Sequence, residues 1–89
     1  MTHEATKGVV RITMKRLALI YERENTLKVS QLEVAEMLGI SRTFYNQIEN
    51  GTRNPGLALA MEISKLFGVP VEKLFGKDAS RIYPATGTE

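Results

Sequence analysis

Two helix starts, each followed by a helix stop, lie inside "SQLEVAEMLGISRTFYNQIENG", residues 30–51. Ser30 is an N-cap residue type, and Glu33 three positions on completes a capping box. Val34, Ala35 and Leu38 then share one face, and Gly39 follows where a left-handed residue closes a helix. Ser41 starts a second helix running to about Asn50, with Tyr45 and Ile48 on its inner side and Ile40 anchoring the entry. Asn50-Gly51 ends it. Two helices joined by so short a turn must cross steeply with their backbones close. Ala35 is small where the partner presses, Gly39 supplies the turn, and Val34, Leu38, Ile40, Tyr45 and Ile48 fix the angle. A helix-turn-helix needs that set at those offsets.

The rest of the chain is also spaced as helix. From Thr13 to about Glu24, Met14, Leu17, Ile20 and Tyr21 recur three and four apart, with Lys15, Arg16, Glu22 and Arg23 on the other side. That pattern predicts an amphipathic helix with Ile20 in the core. Before it, "GVVRIT" fits an extended arm or a short strand equally well. Asn54 is expected to cap a fourth helix with Pro55 at its first position, where no hydrogen bond is lost. Leu57, Ala60, Met61, Ile63, Ser64 and Phe67 are expected to line its buried side, and Gly68 to close it. Pro70 opens a last short helix through Phe75. "GKDASRIYPATGTE" reads as a tail, with Ile82 and Tyr83 able to dock on something. The expected architecture is all-α: an arm over 1–12, a compact domain over 13–75 and a tail over 76–89.

Bulk properties narrow the function. The chain has 89 residues, 43% of them apolar and 25% charged, as expected of one globular domain. It has no cysteine, and its one histidine, His3, has no companion to build a metal site. No apolar run approaches a membrane span, and "MTHEATKG" lacks the layout of a signal peptide, so a soluble intracellular protein is expected. The net charge of +2 comes entirely from residues 1–56, which hold eight bases against six acids. There is no nucleophile paired with a base, no phosphate-cradling glycine loop and no ligand cluster. The expectation is a non-enzyme without a cofactor.

The outward side of the second motif helix carries the chemistry. Arg42, Thr43, Asn46 and Gln47 lie opposite Tyr45 and Ile48, with Phe44 at the margin. Arginine can bridge guanine O6 and N7, Asn or Gln can bridge adenine N6 and N7, and Thr or Phe can meet a thymine methyl. The basic residues Lys7, Arg11, Lys15 and Arg16 could form an arm over a nucleic-acid backbone, although a charge run is more often a solvated face.

"SQLEVAEMLGISRTFYNQIENGTRNP", followed by a helix and "LFGVPVEKLF", resembles the Cro/repressor-type helix-turn-helix, the XRE family, over residues 30–75. The resemblance implies a lambda-repressor-like bundle of about five helices. It implies a cytoplasmic, bacterial or phage-encoded transcriptional regulator that binds palindromic operator DNA, usually as a homodimer, to repress or activate transcription, with repression the expected outcome. By position, Ser41, Arg42, Thr43 and Gln47 would face the groove, with Phe44 and Asn46 as secondary candidates. Gln31 would touch a phosphate and brace its neighbours. Asn50, Thr52, Arg53 and Asn54 would lie along the DNA backbone, where contacts position rather than specify. The family often pairs the residue at Glu49 with an arginine from the first helix. The ungapped register puts Glu24 there and Ile20 in the core; one extra loop residue in "RENTLKVSQ" brings Arg23 instead. A rival reading is an antitoxin-like or adaptor module, gripping a protein partner through Phe44, Ile82 and Tyr83.

Overall fold

The computed structural model describes residues 15–82. Among them are the five expected helices, α1 (Leu17–Tyr21), α2 (Gln31–Leu38), α3 (Arg42–Asn50), α4 (Leu57–Phe67) and α5 (Val71–Phe75), and a sixth, α6 (Ala79–Ile82). The fold is all-α. Leu19, Val34, Ala35, Tyr45, Ile48, Ala60 and Ile63 are wholly enclosed, and Phe67, Val71, Leu74, Phe75, Ala79 and Ile82 complete the core.

Local signals set the motif. The Ser30 hydroxyl accepts from the Glu33 N–H at 3.1 Å, and the Glu33 carboxylate accepts from the Ser30 N–H at 2.7 Å, closing the capping box. Gly39 is left-handed at φ 73°, which lets the Gly39 and Ile40 N–H groups return to the Glu36 and Ala35 carbonyls. Ser41 caps α3 by accepting from the Phe44 N–H at 3.0 Å. Gly51, at φ 80°, ends it. α2 packs on α3, and α1 and α5 pack together beside them.

α1 departs from its expected register. Ile20 is only half-buried, while Leu17 and Tyr21 are 71% and 59% exposed; Leu19 holds the core position instead. The helix starts at Leu17 rather than Thr13, which lies with Met14 and "GVVRIT" outside the described residues. The cause lies at the other end. Residues Glu22–Leu27 form a π-helical turn, closed by Lys28 in the left-handed region at φ 56°. A π-turn spans one residue more than an α-turn. It absorbs the extra residue of "RENTLKVSQ", moves the core position from Ile20 to Leu19, and turns Arg23 inward.

Three further expectations are corrected. Asn54 does not cap α4: the cap is Gly56 and the helix begins at Leu57, because the Asn54 side chain is taken by Arg16. On α4 the buried residues are Ala60, Ile63 and Phe67; Ser64 is half-buried, and Leu57 and Met61 are exposed. The chain after residue 75 is also no loose tail as far as Ile82. A 3₁₀ turn over Gly76–Asp78 leads into α6, which buries Ala79 and Ile82 against the bundle.

Candidate nucleic-acid interface

The last turns of α3 are anchored by a buried carboxylate. Glu49 is 1% exposed and accepts four hydrogen bonds. Arg23 gives two, from Nε at 2.6 Å and from NH2 at 3.2 Å; Tyr45 OH gives one at 2.7 Å and Gln31 Nε2 one at 2.9 Å. Burial pushes the Glu49 carboxyl upward, but the hydrogen bonds from Arg23, Gln31 and Tyr45 outweigh it and hold the group below the usual carboxylate range. Burial, reinforced by the bond to Glu49, pushes the Tyr45 phenol far above its ordinary value, so it remains a donor. The arginine brought to Glu49 is Arg23, as the gapped register requires.

From that carboxylate a row of amides runs outward. Glu49 is ionised and can only accept, so Gln31 must turn its NH2 toward it. The Gln31 Oε1 then accepts from Asn46 Nδ2 at 3.3 Å, and the Asn46 Oδ1 accepts from Asn50 Nδ2 at 3.1 Å. Each amide's direction follows from the one beneath it. Gln31 therefore does brace its neighbours, and Asn46 and Asn50 are half-buried rather than fully outward.

The start of α3 is open. Ser41, Arg42 and Thr43 are exposed, and Gln47 is half-buried. Phe44 is half-buried too, with the Arg53 guanidinium 4.8 Å above its ring. The Gln47 carbonyl collects the Thr52 and Arg53 N–H groups, which folds the loop after Gly51 back against the helix end. Thr52, Arg53 and Asn54 are exposed along it. The loop thus lies against α3 at Phe44 and Gln47, while hydrogen bonds join Gln31, Asn46 and Asn50.

Sequence reasoning missed Arg16. Its sequence context is that of a basic arm, yet it is 7% exposed. Its guanidinium donates to the Ile48 and Arg53 carbonyls, Asn54 Oδ1 and Asp78 Oδ2, and it stacks on Phe75. No local pattern could have found it, since its partners are distant in the chain. Lys15 is exposed, while Lys7 and Arg11 lie outside the described residues. The adaptor reading loses two of its grips: Ile82 is in the core and Phe44 lies under Arg53. Tyr83 lies outside the described residues. Among the described residues no cluster of His, Cys, Asp or Glu could hold a metal ion, and no helix is long and apolar enough to cross a membrane.

Residues 19–74 match the helix-turn-helix family model. The chain belongs to that family, in its Cro/repressor-type branch, and is a DNA-binding transcriptional regulator. It is 43% identical over 47 residues to an uncharacterized HTH-type transcriptional regulator of Methanocaldococcus jannaschii, covering 53% of this chain and 71% of that one. It is 36% identical over 53 residues to the control protein C.MunI of a Mycoplasma species, covering 60% and 72%. It is 32% identical over 54 residues to the cryptic phage CTXphi transcriptional repressor RstR of Vibrio cholerae, covering 61% of this chain and about half, 49%, of that repressor. No solved structure matches significantly.

Proposed function

We propose that this protein is a cytoplasmic repressor that reads a palindromic operator through the major groove as a homodimer. Ser41, Arg42, Thr43 and Gln47 meet base edges, with Phe44 and Asn46 at the margin. Gln31, Asn50, Thr52, Arg53 and Asn54 meet the sugar-phosphate backbone. The observation that carries this reading is the division of α3: Tyr45, Ile48 and Glu49 are locked inside while Arg42 and Thr43 stand in solvent with the helix start. That helix can enter a groove without unfolding anything. Repression is favoured by the likeness to the phage repressor.

The test is selection of bound sequences from a random duplex pool, followed by titration at two salt concentrations. The expected winner is a palindrome whose half-sites lie about one helical turn apart. Recovery of no preferred sequence, with no salt-dependent binding to any duplex, would remove the reading. Arg53→Ala should weaken operator and random DNA by about the same factor and flatten the salt slope by about one unit. A filter-binding series from low to moderate salt measures both. A loss confined to the operator would move Arg53 from the backbone to the bases.

A further inference from the structure

We propose that Arg16 is a positioning residue for the 50–54 loop, and that through it the segment after α5 sets affinity for DNA of any sequence. The inference rests on the DNA-binding reading above and adds the device that holds the backbone grip in shape.

The guanidinium sits between the end of α3 and the 3₁₀ turn. One terminal nitrogen donates to the Ile48 carbonyl at 2.8 Å and the Arg53 carbonyl at 3.0 Å. Those carbonyls lie at either end of the turn that leaves α3, so one rigid planar group spans the whole bend. The other terminal nitrogen donates to Asn54 Oδ1 and to Asp78 Oδ2. Because Asn54 accepts through its oxygen, its NH2 points elsewhere, as a donor from an exposed residue. That is the polarity a phosphate oxygen requires. Arg16 adds a backbone bond, its own N–H donating to the Glu49 carbonyl at 2.8 Å. Its charge also lies at the C-terminal end of α3, where a cation is favoured.

The far side of the clamp belongs to the end of the chain. Asp78 lies in the 3₁₀ turn that leads into α6, and α6 is held by Ala79 and Ile82 in the core. Phe75 offers its ring to the same guanidinium, 5.1 Å from its centroid. The 50–54 loop and the 3₁₀ turn that leads into α6 therefore share one side chain. Arg16 and Asp78 both fall outside residues 19–74, so the family match does not assign the pair a role. Only the terminal nitrogens are engaged; the Arg16 Nε is buried without a partner. A lysine there would keep the charge but could not bridge four acceptors.

The experiment uses the full chain as wild type, Arg16→Lys, Asp78→Asn and Ile63→Val, the last a core control in α4. Each is titrated with the selected operator and with random duplex at two salt concentrations, well below its melting temperature. Arg16→Lys should bind both duplexes about ten-fold more weakly, keep the ranking of operator variants, and lose about one unit of salt slope. Asp78→Asn keeps an acceptor and should shift both in the same direction by less. Ile63→Val should melt earlier with binding unchanged. If folded Arg16→Lys matched wild type in random-duplex affinity and slope, the proposal would be overturned. It would also be overturned if Ile63→Val weakened binding as much for an equal loss of Tm. If Arg16→Lys does not fold, an unchanged random-duplex affinity in Asp78→Asn overturns the proposal and a uniform loss supports it. A wild type that binds no duplex sinks the DNA-binding reading itself, and is recognised before any variant is measured.

Discussion

Arg23→Met is expected to lower the free energy of unfolding by about 3–5 kcal/mol, the cost of stranding a buried charge. An exposed ion pair would cost only about 0–1 kcal/mol, so the size of the loss reports burial. Glu49 would keep Gln31 and Tyr45 as donors but lose two bonds and its ion-pair partner. The pH dependence gives a second check. In the wild type the folded Glu49 carboxyl lies below its ordinary range, so the unfolded chain takes up the proton first. The resulting stability is fully present above the ordinary carboxylate value of about pH 4.3 and disappears as pH falls through the lower folded value. Without Arg23, burial dominates and the folded carboxyl holds its proton more tightly. The gap between the two proteins should therefore narrow as pH falls from 7 toward 4. Urea unfolding at several pH values measures it; a gap that is small and constant would show that the pair contributes little.

Arg42→Ala should remove about 1–3 kcal/mol of discrimination at one operator position, roughly 5- to 150-fold, while changing random-duplex affinity far less. Gln47→Ala should do the same at a neighbouring position. Arg42 is exposed at the start of α3, so its bonds to a base would come at little cost in lost protein contacts. Gln47 is half-buried, and its reach is shorter. Selection from random duplex with each variant measures the effect. If the Gln47→Ala selection returned the wild-type sequence, its base-reading role would be wrong.

The motif was legible because every signal in it is local. Ser30 with Glu33, Gly39, Ser41 and Gly51 each act within one helical turn, and each stands in the role its residue type prescribes. What the sequence hid was decided across the chain. Asn54 is a good helix cap by type, but an arginine 38 residues away claims its side chain. Leu17 and Tyr21 fit an apolar stripe, but a π-turn six residues long rotates the register and selects Leu19. α4 is so rich in apolar residues that periodicity alone could not exclude Leu57 and Met61 from the core. Residues 76–82 look like a tail because Asp78 is held by Arg16, 62 residues earlier, and Ala79 and Ile82 are buried in a core that the whole bundle builds.

The charge of Glu49 has a consequence at the surface. Amides are nearly symmetric objects, and a row of them could point either way with equal ease. A group at the root that can only accept hydrogen bonds breaks the tie, and the choice propagates through Gln31 and Asn46 to Asn50. With a glutamine at position 49 the root could give or receive, and both directions would become available. The carboxylate thus works as a compass for side chains it never touches, fixing which amide atoms Asn46 and Asn50 offer to one another.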